Sequence, residues 1–354
     1  MRIAIFGLTI TSSWGNGHAT IWRGLCSALE AGGHSVSFFE RDVSYYASHR
    51  DLPPASPFEV VLYSDWSENV ERARACLENS DAAIVTSYCP DAKEASDLVL
   101  ESAVSAKVFY DLDSPVTLER WQTEGDVEYI PPYGLEPFDL VLSYAGGKAL
   151  PQLKELLGAR NVAPLYGSVD PGAHMRAAPS TRYESDLSYL GTYAQDRQLV
   201  LEQLFVEPAR RAPGKKFVLG GSLYPDHFPW TENMYFVRHV TPPQHPAFYS
   251  SSKLTLNVTR AAMVNTGYCP SGRLFEAAAC ATPVLSDDWE GLASFFEPGA
   301  EILIASSTSD VIDALWRDEG DLRQIGAAAR ERVLDQHTSW HRSLELVQLI
   351  EGCA

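Results

Sequence analysis

Two successive α/β domains, each an open parallel sheet wound on both faces, are the fold class that this 354-residue sequence predicts. Three observations carry the prediction. Short apolar runs alternate with helix-period stretches along the chain. The alternation breaks once, near residues 166–183, and resumes at similar length. The strand ends open into glycine-rich or polar loops, where such sheets bind ligands.

The elements follow in order. Residues 2–6, RIAIF, form an apolar strand ending at Gly7, and a loop rich in Thr, Ser, Gly and Asn covers 8–18. Ile21, Leu25, Ala28 and Leu29 give residues 19–31 one apolar helical face, which Gly32 and Gly33 terminate. Further strands are expected over 35–39, 60–63, 82–86, 107–111, 139–143 and 161–165. Helices are expected over 70–77 and 92–104, with a loop and helix over 145–157. Residues 113–137 read as a polar, proline-bearing segment. The second series has strands over 185–190, 216–219, 236–240 and 254–257. Its helices are expected over 195–207, 246–251, 310–318, 319–334 and 338–349. The expected domains are 1–167 and 185–335, with a linker over 168–184 and a closing helix in 336–354.

Composition narrows the function. Hydrophobic residues make up 45% and charged residues 21%, the balance of a soluble globular protein. A net charge of −18 repels nucleic-acid backbones and anionic membranes, so neither is an expected partner. No apolar run approaches the roughly 18 residues of a membrane span. Cys26, Cys76, Cys89, Cys269, Cys280 and Cys353 show neither CxxC spacing nor a zinc-type cluster, so no metal is expected. A strand that starts at once leaves no room for a signal peptide, and the expected compartment is the cytoplasm. Nothing in the pattern gives an oligomeric state.

The most informative stretch is 269–286, CPSGRLFEAAACATPVLS. It reads as a turn, a helix and a buried strand. Arg273 and Glu276 lie three apart and share one face of the helix start. The run 277–281 is small enough for another element to approach closely, and Thr282-Pro283 stops the helix. An arginine and free helix amides can hold phosphate, while a fixed carboxylate can accept from sugar hydroxyls. An ordinary amphipathic helix needs only the packing period.

Residues 254–304 resemble the donor-binding half of GT-B glycosyltransferases, above all the spore-maturation CgeB-like group. The resemblance rests on Asn257-x-x-Arg260, a helix start at Pro270-Ser271-x-Arg273-x-Phe275-Glu276-Ala277, a helix end at Cys280-x-Thr282-Pro283-Val284, and the loop Gly291-Leu292-x-x-x-Phe296-x-Pro298-Gly299-x-Glu301. Weaker likenesses cover YGSVDPGAH at 166–174, LSYLGTY at 187–193 and HTSWHRSLELV at 337–347. The resemblance implies two Rossmann-like domains facing a central cleft, with the C-terminal helix packing back on the first. It also implies sugar transfer from a UDP- or GDP-linked donor, a co-substrate rather than a cofactor, to a small-molecule or glycan acceptor, without a metal on an Asp-x-Asp motif. By the same carry-over, Glu276 holds the ribose and Arg260, Ser271 and Arg273 meet the diphosphate beside Asn257. Gly220 and Gly221 let backbone approach it, and backbone near His239 and Val240 faces the base. The chain departs from the pattern at Tyr268, where retaining members carry a glutamate, and at Ala281, where glycine is usual.

On the acceptor side, the loop Trp14-Gly15-Asn16-Gly17 leads to His18, a neutral imidazole suited to take an acceptor proton. Asp113 can orient His18, bind an acceptor hydroxyl, or cap a helix beginning near Pro115. His18 can equally be a polar residue lining the loop, and Arg260 a surface ion pair. A nucleotide-sugar epimerase of the same fold and a non-catalytic nucleotide-sugar-binding protein are the competing functional readings.

Overall fold

A computed structural model describes residues 1–353 and divides them into two compact units. The first contains β1 (Arg2–Gly7), β2 (Ser35–Arg41), β3 (Glu59–Tyr63), β4 (Ala82–Thr86), β5 (Ala106–Asp111), β6 (Leu140–Ser143) and β7 (Val162–Pro164). Among the described residues these form one seven-stranded sheet in the order β3-β2-β1-β4-β5-β6-β7, with every pair parallel. Its helices are α1 (His18–Ala31), α2 (Ser44–Ala47), α3 (Trp66–Leu77), α4 (Ala92–Glu101), α5 (Ser114–Glu124) and α6 (Ala149–Leu157).

Central strands buried on both faces explain the continuous apolar runs. Ile5 pairs with Phe38 on one side and Ile84 on the other, and all three are buried. Helix α1 lays Trp22, Leu25, Cys26 and Leu29 inward. Each such side chain contributes about 1.5–3 kcal/mol by leaving water. The polar segment 113–137 contains a whole helix, α5, which starts with a proline in its first turn and ends at left-handed Gly125. Helix α4 stops at Glu101 because Ser102 turns extended.

The second unit contains β8 (Ser185–Leu190), β9 (Phe217–Gly221), β10 (Met234–Arg238), β11 (Ser252–Asn257), β12 (Val284–Ser286) and β13 (Leu303–Ile304). The described strands again form a parallel sheet, ordered β10-β9-β8-β11-β12-β13. Its helices are α7 (Gln198–Leu201), α8 (Glu207–Arg211), α9 (His245–Ser250), α10 (Ala261–Thr266), α11 (Gly272–Ala279), α12 (Thr308–Leu315) and α13 (Glu319–Gln336). A π turn over Glu202–Val206 joins α7 to α8. A capping box between Ser307 and Asp310 starts α12 two residues before the helix read from the sequence. Strand β10 begins at Met234 and ends at Arg238, not at Val240, because His239 turns left-handed at φ 51°. Residues 168–184 fall within this unit.

The closing helix α14 (Ser339–Cys353) belongs to the first unit and packs on α1 and β5. It buries Leu346 and Ile350, and Arg342 Nε donates to the Tyr166 carbonyl at 3.2 Å. Both sheets reverse their winding at one point, between β1 and β4 and between β8 and β11. Loops leaving the carboxyl ends of those strands splay apart and leave a crevice for ligands.

Candidate functional site

In the second unit, β8 runs out at Leu190 and Gly191, and β11 at Asn257. Arg273, in the first turn of α11, donates through Nε to the Leu190 carbonyl and through Nη1 to Asn257 Oδ1 at 2.7 Å. Its guanidinium lies 5.0 Å over the Tyr189 ring. Arg197 shares that ring at 5.9 Å and donates to the Thr192 carbonyl. A Cβ on Gly191 would stand 2.9 Å from Arg273 Nη2 and 3.2 Å from Arg197 Nη2. Two cations therefore converge on one point at a strand end, an arrangement that favours an anion between them. The backbone at Ser271 is extended and its side chain makes no capping bond among the described residues. The amides of Gly272 and Arg273 therefore open the helix without a side-chain cap, and such uncapped amides favour an anion.

Asn257 is fully buried, and its Nδ2 donates to Ser286 Oγ at 3.0 Å. Asp287 accepts from the Thr259 amide and hydroxyl, both at 2.9 Å. Asn257 is thereby a positioning residue for Arg273. Arg260 starts α10 and donates from Nε to Asp196 Oδ2 at 2.9 Å, a partly exposed ion pair.

Glu276 lies one turn into α11, its side chain 13% exposed. The Tyr249 hydroxyl donates to its Oε2 at 3.3 Å. His245 Nδ1 lies 3.5 Å from the same oxygen, and His174 Nε2 lies 3.9 Å from Oε1. Burial pushes this carboxyl up, but the two imidazoles and Arg273 more than offset that and hold it at about 2. Burial also lowers His174. The carboxylate is ionised at neutral pH and can accept from hydroxyls.

Gly220 and Gly221 have packing reasons for being glycine. A Cβ at Gly220 would meet Val240 Cγ2 at 2.9 Å and Phe248 Cε2 at 3.0 Å, and one at Gly221 would enter the Gly191 backbone. The His239 amide donates to the Gly221 carbonyl at 2.8 Å, and the Val240 carbonyl accepts from His245 Nε2 at 3.2 Å. Tyr268 is left-handed at φ 47°, and its amide donates to the Glu290 carbonyl at 2.6 Å. Gly291 fits under the Tyr268 ring, where a Cβ would stand 2.6 Å away. Ala281 is left-handed at φ 56°, which is why glycine suits that position.

In the first unit His18 opens α1 after β1, Tyr88 follows β4, Asp111 ends β5 and Asp113 follows it. The His18 and Tyr88 rings meet edge to face at 5.5 Å. Tyr88, left-handed at φ 62°, donates its hydroxyl to Asp113 Oδ2 at 3.1 Å. Asp113 occupies the N-cap position of α5, but its side chain makes no capping bond among the described residues. His18 Nδ1 is shielded and has no partner among the described residues, and burial lowers the ring to about 4. Asp111, wholly buried, is pushed up by desolvation to about 6. The loop before His18 holds itself. Asn16 Oδ1 accepts from the Ala19 amide at 3.2 Å, and Trp14 stacks on His49 at 4.1 Å. A Cβ on Gly15 would stand 2.8 Å from the Tyr45 hydroxyl, whereas Gly17 faces open space.

The structure thus brings Asn257, Arg273 and Glu276 together at the second reversal point and leaves Arg260 paired to one side. Sequence reasoning did not single out Gly191, Arg197, His174 or His245. Gly191 and His174 sit in stretches that carried weak motif likeness, but nothing in their spacing marks them. His174 meets His245 across 71 positions.

Residues 197–348 match a family described as Glycosyl transferase-like. No curated protein sequence matches the chain. Among solved structures, it is similar to sucrose-phosphate synthase from Thermosynechococcus elongatus, at 15% identity, TM-score 0.70, over 99% of this chain and 98% of that one. It is similar to Anabaena HepE in complex with UDP-glucose at 11% identity and TM-score 0.69, covering 99% and 100% of the two chains. An alpha-glucosyltransferase in complex with UDP-glucose and DNA matches at 13% identity and TM-score 0.70, over 99% of each chain. At these identities the likeness is one of architecture, and the chain has the GT-B fold: two Rossmann-like parallel-sheet domains with the closing helix returned to the first.

Proposed function

We propose that the chain is a glycosyltransferase using a nucleoside-diphosphate sugar, UDP- or GDP-linked, of the CgeB-like kind its motifs resemble. The observation that carries this reading is the convergence of Arg197 and Arg273 on Gly191, beside the open start of α11 that carries Glu276. Paired guanidiniums and helix amides suit a diphosphate, and an ionised carboxylate three residues on suits the two ribose hydroxyls. The family match over 197–348 spans these groups, and the similar solved structures include complexes with UDP-glucose.

For a transfer that inverts the anomeric carbon, His18 is the base and Asp113, through Tyr88, orients the neighbouring ring. The acceptor hydroxyl oxygen bonds to the anomeric carbon while the bond from that carbon to the diphosphate oxygen breaks. The diphosphate leaves with the electron pair, facing Arg197 and Arg273, and the acceptor proton passes to His18. We place the enzyme in the cytoplasm, as the reading of its sequence expects; its described cysteines are free thiols.

Incubation with UDP-, GDP- and dTDP-sugars tests the proposal. Donor hydrolysis or transfer is the expected outcome. A changed sugar epimer with the diphosphate bond intact would replace it with the epimerase reading. Tight binding without turnover would leave a nucleotide-sugar-binding protein.

A further inference from the structure

We propose that His174, His245 and Glu276 form a binding site for one zinc ion. The site lies within the second unit and is assembled from the segment before β8, the start of α9 and the first turns of α11. Its three facing atoms are His174 Nε2, His245 Nδ1 and the Glu276 carboxylate. Their separations are 3.5 Å between the imidazoles, 3.5 Å from His245 to Oε2 and 3.9 Å from His174 to Oε1. A tetrahedral zinc with bonds of about 2.0–2.1 Å spaces its ligand atoms about 3.3–3.4 Å apart. The two imidazoles face different oxygens of Glu276, so a carboxylate that offers both oxygens meets this spacing once the longest separation shortens by about half an ångström.

The outer contacts set the right lone pairs inward. His245 Nε2 faces the Val240 carbonyl at 3.2 Å, and a carbonyl only accepts. Nε2 thus carries a hydrogen, which leaves Nδ1 as the ring atom facing the carboxylate and the second imidazole. Once protons are displaced from the cluster, as metal binding requires, three lone pairs converge on one point and a cation takes their place. The Tyr249 hydroxyl steadies the carboxylate from behind at 3.3 Å. Carbonyl-to-imidazole and hydroxyl-to-carboxylate bonds of this kind orient metal ligands. His174 is 5% exposed, and its Nδ1 has no partner among the described residues. His245 and Glu276 each keep 13% of their side-chain surface exposed, so the cluster is not sealed from solvent. Two imidazoles and one carboxylate with an open position is a donor set that zinc takes.

The site itself does not depend on the nucleotide reading. Its corollary does: zinc would draw both Glu276 oxygens away from the ribose, so zinc and nucleotide would compete.

The test uses the full-length chain without nucleotide. Competition with a fluorescent chelator should show one zinc per chain, and Co²⁺ in its place should give the strong visible absorption of a four- or five-coordinate site. His174→Gln should weaken zinc by about 100-fold, the upper end of what loss of even an outer partner costs. His227→Gln, on an exposed histidine, should leave it unchanged. Equal zinc affinity in the wild type and His174→Gln would overturn the proposal. So would a wild-type Co²⁺ spectrum no stronger than that of the free octahedral ion, an outcome that leaves a proton in the metal's place. UDP binding measured in EDTA separates failure of this site from failure of the nucleotide reading.

Discussion

The two reversal points have the same topology and opposite chemistry. At β8 and β11 the charged groups are tied down: Arg273 to Leu190 and Asn257, Arg197 to Thr192, Glu276 among two histidines and a tyrosine. At β1 and β4, with the neighbouring end of β5, the buried groups are poised instead: His18 is lowered to about 4, Asp111 raised to about 6 and Tyr88 held left-handed. Pinned charges keep their ionisation and present a fixed shape, as a binding site requires. Groups shifted from their ordinary values by burial are those that exchange protons or bear strain, as a reacting site requires. On the proposed reading, one fold used twice separates holding from reacting.

The largest expected effect breaks the comparison at its reacting side. His18→Ala should lower kcat by about 10²–10⁴ while donor affinity, measured by calorimetry, stays the same. Unchanged turnover would remove His18 from the mechanism. Because burial lowers this imidazole, it remains neutral above about pH 4, so the acid limb of the kcat profile should fall near 4, not near 6.5.

The holding side should respond in the other quantity. Glu276→Ala should weaken UDP binding, in EDTA, by on the order of 1–3 kcal/mol, the loss of a charged hydrogen-bond partner. Equal affinities would contradict the ribose assignment.

A third effect sharpens the contrast through stability. Asp111 has its folded pKa raised, so its favourable contribution is complete below the ordinary 3.8 and is lost as pH rises through about 6. Asp111→Asn should therefore stabilise the chain by about 3 kcal/mol at pH 8 and change little at pH 4, read from urea unfolding at both values. A pH-independent difference would mean that packing, not ionisation, sets the effect.

Much of the second site was legible because it is local. Arg273 and Glu276 fall on one face of one short helix, and Thr282-Pro283 and the alanine run fix that helix in the sequence. Ala281 was visible as a departure, and its left-handed backbone supplies the reason. His174 and His245 were not legible, since only the folded linker brings them to Glu276. Gly220 and Gly221 drew a ligand reading because glycine at a strand end suits one, whereas Val240, Phe248 and Gly191 fill the space. Helix α5 was hidden by its polar composition, although Pro115 marked its start.

The return of α14 to the first unit has a consequence for synthesis. Residues 167–338 emerge from the ribosome before the helix that covers α1 and β5. The second unit can therefore complete its fold while the first still exposes the apolar surface that Leu346 and Ile350 will cover. The domain begun first is finished last, and a chain cut short before Ser339 would carry an intact half joined to an uncovered one.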